Sequence, residues 1–287
     1  MTRRPQPGFV NLRGTRLRYW DWPGTGRTVL MVHATGFLGR IWDPVVESLP
    51  KDYRVIAVDQ RGHGDSDKPD IDYDWRYFVE DVTALTAALE IEGCVAVGHS
   101  GGGAAIAYAE IERPGLFGGL VLIEPIAYPG PRRPVVPREG APDLPSISRN
   151  RRLVWDSREE ILESWRSRPP FDSWSPTALE AYIQHGFFER ADGKVELKCP
   201  GEYEARMFEQ SFSLNTFERL PELSAPNLVI FGENTDTFPG PLRDTIAGRL
   251  RNSERHDISG AGHFVVMEKP EAVAAEIEGF IQNRLDG

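Results

Sequence analysis

The sequence is poor in cysteine, in positive charge and in long apolar runs. Its 287 residues include only two cysteines, Cys94 and Cys199, too few for a disulfide framework. Acidic residues outnumber basic ones by 43 to 33, and a net charge of -10 repels phosphate backbones, so we do not expect a nucleic-acid partner. No stretch approaches the ~20 apolar residues of a membrane span, and the start MTRRPQPGF lacks the apolar core of a signal peptide. We expect a soluble, cytoplasmic protein without a membrane partner, either monomeric or homodimeric.

Short apolar segments, by contrast, recur along the chain and are separated by helical ones. Runs rich in Val, Leu and Ile have the length and continuity of strands buried on both faces, and they lie at 28–33, 53–59, 94–99, 119–124 and 227–233. Apolar residues recur at helical spacing in 75–91 and 270–285. Residues 9–22 alternate around Gly14, which predicts an antiparallel hairpin at one sheet edge. The pattern predicts an α/β fold with a mostly parallel, twisted sheet and helices on both faces.

The alternation of strands and helices stops between residues 125 and 225. This segment is rich in proline and aromatic residues, its helices are short, and one of them begins with a Ser157-x-x-Glu160 capping-box pattern. A strand-like run returns after Pro226. We therefore predict a core domain formed by residues 1–124 and 226–287, with a helical cap inserted at 125–225.

A glycine-rich corner, VAVGHSGGG, joins a predicted strand to a predicted helix. A phosphate-binding loop needs a lysine after its last glycine, and no lysine occurs between Lys68 and Lys194. A dinucleotide-binding loop needs a glycine where Ile106 stands. The pattern G-x-S-x-G at 98–102 instead fits a sharp, strained turn that presents Ser100 at the carboxyl edge of the sheet.

A serine nucleophile needs a base that takes its proton and a carboxylate that orients the base. His263 lies on a glycine-flanked turn just before the last predicted helix, which suits the base. Asp236 follows the strand at 227–233, and Glu124 ends the run GLVLIE. Either carboxylate could hold the imidazole in one tautomer; we favour Asp236 and keep Glu124 as the alternative acid.

Four motifs together resemble the α/β-hydrolase superfamily: HATGFLGRIW (33–42), DQRGHGDSD (59–67), GHSGGG (98–103) and GAGH (260–263). The resemblance covers roughly residues 25 to 285, and the order Ser100, Asp236, His263 agrees with it. It implies an oxyanion hole formed by the backbone N–H groups of Thr35 and Gly101. Ala34 stands where glycine is usual in the superfamily.

Serine at this turn implies acyl chemistry, because relatives that open epoxides or cleave carbon–halogen bonds use aspartate there. We expect hydrolysis of a carboxylic ester or lactone through an acyl-enzyme on Ser100, with neither cofactor nor metal. A carbon–carbon bond hydrolase with the same triad is one alternative. A ligand-binding protein on a hydrolase scaffold is another.

The candidates for substrate contact are Phe37, His99, Trp174 and Phe188. They belong to the superfamily motifs and to the aromatic cap, where most other rings are expected to pack the cap onto the sheet. An aromatic lining favours a hydrophobic small-molecule substrate.

Two further groups of polar residues, two histidines and two basic stretches, could in principle bind a metal or an anion. His33 and His63 lie in different motifs without metal-site spacing, so we expect structural or pocket roles rather than a metal site. The basic pair Arg132-Arg133 and the run RNRR at 149–152 could bind a carboxylate, but we expect them on the solvated surface.

Overall fold

The computed structural model describes residues 3–130 and 143–286, so Arg132 and Arg133 lie outside the described residues. Its strands are β1 (Gln6–Leu12), β2 (Thr15–Trp22), β3 (Thr28–Val32), β4 (Arg54–Val58), β5 (Val95–His99), β6 (Gly119–Ile123), β7 (Val154–Trp155), β8 (Phe187–Glu189), β9 (Val195–Leu197), β10 (Asn227–Gly232) and β11 (Ser253–Ile258). Its helices are α1 (Asp43–Ser48), α2 (Arg76–Ala88), α3 (Gly101–Glu112), α4 (Leu144–Asn150), α5 (Arg158–Trp165), α6 (Pro176–His185), α7 (Gly201–Glu209), α8 (Thr216–Arg219), α9 (Gly240–Arg249), α10 (Val265–Glu268) and α11 (Pro270–Arg284). None of these helices combines the length and the apolar character needed to cross a membrane.

The main sheet has eight strands in the order β1-β2-β4-β3-β5-β6-β10-β11. The predicted hairpin is confirmed: β1 and β2 pair antiparallel around a turn in which Gly14 has a φ of 85°. The strands from β4 to β11 in that order run parallel. The five apolar runs form β3, β4, β5, β6 and β10, and their side chains are buried because helices cover both faces of the sheet.

The two faces of the sheet carry separate hydrophobic layers. One layer packs against α1 and α11, and the other packs against α2, α3 and α9. Strand β5 lies near the middle of the sheet, between β3 and β6. The residue that follows β5 therefore emerges at the carboxyl edge, where open α/β sheets bind their ligands.

Between β6 and β10 the described chain contributes no strand to the main sheet. Half of the predicted capping box is present: the Ser157 hydroxyl accepts a hydrogen bond from the Glu160 N–H at the start of α5, whereas the Glu160 carboxylate accepts from the N–H of Asp156. This segment also contains a small antiparallel sheet in the order β7-β9-β8, which the sequence pattern does not predict. Strands of two or three residues are too short to show a period of two. The bounds 125 and 225 of the cap remain a prediction.

The glycines of the strand–helix corner allow α3 to approach β5, where a Cβ on Gly98 would overlap the Gly102 carbonyl, and also the end of β3. A Cβ on Gly102 would overlap the carbonyl oxygens of Val32 and His33, whereas a Cβ on Gly248 in α9 would meet open space. We expect Gly102→Ala to lower the free energy of unfolding by about 2–3 kcal/mol, because the backbone must move to admit a methyl group. Gly248→Ala should raise it by about 0.5–1 kcal/mol, since alanine has less freedom than glycine in the unfolded chain. Urea denaturation of both variants measures the contrast, and equal stabilities would contradict the proposed close packing.

Candidate active site

Ser100 occupies the strained corner between β5 and α3. Its φ of 55° and ψ of −116° are unusual for a residue other than glycine. The backbone is held there by hydrogen bonds from Ser100 N to the Ile123 carbonyl (2.8 Å) and from Ile126 N to the Ser100 carbonyl (3.2 Å). This conformation lifts the hydroxyl out of the strand, as the G-x-S-x-G pattern predicts.

His263 links the serine to a carboxylate. Its Nε2 lies 3.2 Å from Ser100 Oγ, and its Nδ1 lies 2.8 Å from Glu124 Oε2. The carboxylate can only accept, so Nδ1 carries the proton and Nε2 is free to accept the serine proton. These two contacts form a nucleophile–base–acid relay with the geometry that acyl transfer requires.

The carboxylate in contact with the base is that of Glu124, whereas Asp236, the acid favoured from the sequence, does not reach the imidazole. Which of the two acts as the catalytic acid stays a prediction. Asp236 is exposed, and no hydrogen bond joins it to His263 among the described residues. The residue before it, Thr235, is buried and donates from Oγ1 to Glu124 Oε2 at 2.8 Å. Neighbouring residues in this loop point in opposite directions, so Thr235 faces the site and Asp236 faces solvent. Gly232 N completes the shell around Glu124 by donating to Oε1 at 2.8 Å.

Thr35 and Gly101 face each other across the corner. Thr35 Oγ1 lies 3.0 Å from the position that a Cβ on Gly101 would take. Among the described residues, neither backbone N–H has an acceptor in the fold. Gly101 is also the first residue of α3, where the helix dipole favours negative charge. The fold thus leaves both N–H groups without an acceptor among the described residues, and an oxyanion hole formed by them stays a prediction.

Two buried histidines support the loop that carries Thr35. His63 Nε2 accepts from Gly36 N at 2.9 Å, and His33 Nε2 accepts from Gln60 N at 3.0 Å. Burial lowers the pKa of His33 to about 4 and that of His63 well below its ordinary value, which agrees with neutral rings that accept hydrogen bonds. Both rings therefore have structural roles beneath the loop that carries Thr35.

His99 is the second residue whose position differs from the prediction, which placed it in contact with substrate. It is 1% exposed, and its Nε2 donates to the His263 carbonyl at 2.8 Å. Burial, with a smaller contribution from the neighbouring His263, lowers the pKa of His99 to about 3. Its last position on β5 directs the ring into the protein, so His99 holds the base loop and does not face a substrate.

Of the three aromatic residues predicted to contact substrate, Phe37 and Trp174 lie near the base and Phe188 does not. The rings of Phe37 and Trp174 lie 5.6 Å apart, and each lies about 6 Å from Phe264, the residue after the base. Phe188 is 43% exposed, whereas Phe187 is buried. The alternation of β8 turns Phe187 into the cap and Phe188 to solvent, so the structure does not bring Phe188 to the site.

The basic run at 149–152, predicted to lie on the solvated surface, does so only in part. Arg149 and Arg152 form exposed ion pairs with Glu202 and Glu160. Arg151 instead pairs with Glu204, whose side chain is buried. The sequence analysis did not single out Glu204, because α7 has three glutamates and nothing in the local sequence shows which of them is buried.

The fold, with Ser100, His263 and Glu124 in contact at its sheet edge, is typical of one class of protein, the α/β-fold hydrolases. Among curated proteins, a non-heme chloroperoxidase from Streptomyces lividans is 28% identical over 94% of this chain and 97% of its own length. A bifunctional esterase/perhydrolase from Acinetobacter calcoaceticus is 25% identical over 96% of this chain and 100% of its own.

Solved structures show the same fold. E-2-(acetamidomethylene)succinate hydrolase matches with a TM-score of 0.83 at 21% identity, covering 97% of this chain and 99% of that one. The enol-lactonase from Burkholderia xenovorans LB400 matches with a TM-score of 0.75 at 19% identity, covering 96% and 100%. The sequence model of the alpha/beta hydrolase family matches residues 29–276, and the chain belongs to that family.

The choice of acid can be tested with two amide substitutions. We expect Glu124→Gln to lower kcat by about 10³- to 10⁴-fold, because an amide can donate to Nδ1 and favour the wrong imidazole tautomer. Asp236→Asn should leave kcat within about 2-fold, as expected for an exposed side chain away from the reacting atoms. Steady-state ester hydrolysis by both variants makes the comparison. The reverse ranking would return the role to Asp236.

The neutral state of His99 predicts a dependence of stability on pH. The unfolded chain binds a proton on His99 near its ordinary pKa of about 6.5, whereas the folded protein does so only near pH 3. Stability is therefore lost as the pH falls from about 6.5 towards 3, by about 1.4 kcal/mol per pH unit for one such proton.

His99→Gln keeps an N–H donor and removes the titrating group. Urea denaturation at pH 6, 5 and 4 should show a shallower loss of stability for this variant, with His33 and His63 accounting for part of the remaining slope. Identical slopes for the variant and the wild type would mean that His99 is protonated in the folded protein.

Proposed function

We propose that this protein is a serine hydrolase that cleaves a carboxylic ester or lactone of a hydrophobic small molecule. The observation that carries the proposal is the relay from Ser100 through His263 to Glu124, with the N–H groups of Thr35 and Gly101 beside it. A hydroxyl becomes a nucleophile at neutral pH only when a base is within hydrogen-bond reach. The relay supplies that base and its orienting carboxylate.

In the first half of the reaction, Ser100 Oγ attacks the carbonyl carbon while His263 Nε2 takes the hydroxyl proton. The carbonyl oxygen becomes an oxyanion that accepts hydrogen bonds from Thr35 N and Gly101 N, a contribution of about 10²–10³ in rate for each donor in comparable sites. Glu124 stabilises the imidazolium that forms. His263 then gives its proton to the leaving alcohol, and the carbonyl re-forms as an ester on Ser100.

In the second half, water attacks the acyl-enzyme. His263 Nε2 removes a proton from the water, the same two N–H groups receive the oxyanion, and the proton passes to Ser100 Oγ as the acid leaves. The same five residues therefore act in both halves of the reaction: Ser100, His263, Glu124, Thr35 and Gly101.

The hydrophobic character of the substrate is inferred from the rings near the base. Phe264 follows His263 directly, at a ring distance of 5.5 Å, and Phe37 and Trp174 lie next to Phe264. Small-molecule sites are mostly lined by such apolar groups, with few polar ones to fix orientation. The esterase activity in the name of the Acinetobacter calcoaceticus relative gives further support to an ester substrate.

Peracid formation is a second candidate function, favoured by the relatives named non-heme chloroperoxidase and bifunctional esterase/perhydrolase. Hydrogen peroxide would replace water as the nucleophile on the acyl-enzyme, so that the products are a peracid and free Ser100. Adding hydrogen peroxide to an ester assay and titrating the peracid tests this partition. Consumption of the ester without formation of peracid would exclude peracid formation and support hydrolysis as the only reaction.

The first test of the proposal is the intact mass after brief treatment with a small fluorophosphonate. Wild type should gain one phosphonyl group, and Ser100→Ala should gain none, because only the activated hydroxyl reacts. Ser100→Ala should also lower turnover of the best substrate in an ester and lactone panel by about 10⁴-fold or more. Ser48→Ala, an exposed serine at the end of α1, is the control and should behave as wild type.

Other outcomes separate the alternatives. Loss of a dienol chromophore without ester turnover would favour a carbon–carbon bond hydrolase with the same triad. An unreactive wild type would leave the ligand-binding protein as the better hypothesis.

A further inference from the structure

The loop that carries Thr35 is held from the cap as well as from the core. Gly36, the next residue, has a φ of 89°. Its N–H donates to His63 in the core, and its carbonyl accepts from the Tyr182 hydroxyl of α6 at 3.2 Å. A side chain on Gly36 would overlap Glu204 Oε1 of α7, so the Glu204 carboxylate lies directly on the Gly36 backbone. The two peptide units that flank the Gly36 Cα are thus held between the core on one side and the cap on the other.

Arg151 ties the two cap residues together. Its Nη1 lies 2.9 Å from Glu204 Oε2, a close ion pair whose angles fall outside hydrogen-bond geometry. Its guanidinium also lies beside the Tyr182 hydroxyl. Glu204 is 3% exposed and Tyr182 is equally buried. A buried charge without its partner is costly, so the three side chains are expected to move with the cap as one unit.

The other half of the predicted oxyanion hole also contacts the cap. The Trp75 ring lies 3.2 Å from the position of a Cβ on Gly101. Its Nε1 donates to the Met207 carbonyl of α7 at 2.8 Å, and its backbone N donates to Ser213 Oγ at 3.0 Å. Both predicted oxyanion donors therefore have a neighbour that is fixed by the cap.

We propose that the cap completes the oxyanion hole, with Tyr182 and Glu204 acting as positioning residues for the Thr35 N–H through Gly36. This inference rests on the proposed function, because it assigns these residues a part in stabilising the tetrahedral intermediate. Neither residue touches the reacting atoms. Their contribution is to the geometry of a donor that acts only when the oxyanion forms, so they affect kcat more than KM.

The test compares Tyr182→Phe with Tyr203→Phe. Tyr203 also belongs to the cap, but its ring packs on Tyr73 and not on the oxyanion loop. Removal of an entire oxyanion donor costs about 10²–10³ in kcat, and a displaced donor loses part of that, so we expect Tyr182→Phe to lower kcat about 10-fold. KM should stay within about 2-fold. Tyr203→Phe should match the wild type in both constants.

The second readout needs no turnover. A small alkyl trifluoromethyl ketone adds to a serine hydroxyl and places an oxyanion in the hole, and its binding can be followed by fluorine NMR. Its dissociation constant should rise about 10-fold in Tyr182→Phe, in parallel with kcat. A non-reactive alkyl methyl ether of similar size should bind both proteins equally.

Thermal melting shows whether the Tyr182→Phe variant folds. If it does not fold, Glu204→Gln takes its place in the test, and we again expect a lower kcat and a higher dissociation constant for the ketone. A folded variant with unchanged kcat and ketone affinity would overturn the inference while the proposed function stands. A rise in KM alone would assign Tyr182 to substrate binding and overturn it too. A wild type that neither reacts with fluorophosphonate nor binds the ketone would refute the proposed function and this inference with it.

Discussion

The site depends on one buried carboxylate, that of Glu124 at the end of β6. Its side chain is fully buried and accepts three hydrogen bonds from two segments: from Gly232 and Thr235 at the end of β10 and in the loop beyond it, and from His263 after β11. A buried carboxylate is tolerated only where donors surround it. The segment that carries the base is therefore tied to the strand next to the nucleophile's strand, and this sets the distance between Ser100 and His263.

The fold and the position of Ser100 at the strand–helix corner could be predicted from sequence because their signals are local. Buried parallel strands are continuous apolar runs, and the corner at Ser100 needs small residues within a few positions. The acid could not be chosen in this way. Spacing along the chain places both Glu124 and Asp236 at the correct sheet edge, but only the fold decides which of Thr235 and Asp236 turns inward. The same one-residue alternation exposes Phe188 in β8.

Other features of the site escape sequence analysis because they join distant segments. The ring of His99 reaches the carbonyl of His263, 164 positions away, and the cap residue Tyr182 reaches Gly36, 146 positions away. Such contacts surround the reacting groups with buried, mostly neutral partners in fixed positions. Preorganised donors of this kind cost no reorganisation when charge develops. The cap, in this account, shapes the chemistry as well as the access of substrate.

The most direct test of the central claim is a crystal structure of the protein after reaction with a small fluorophosphonate. We predict phosphorus bonded to Ser100 Oγ, with the phosphoryl oxygen accepting hydrogen bonds from the N–H groups of Thr35 and Gly101. We also predict Glu124 on Nδ1 of His263. Phosphorus on another residue, a phosphoryl oxygen turned away from both N–H groups, or Asp236 in contact with the imidazole would contradict the central claim.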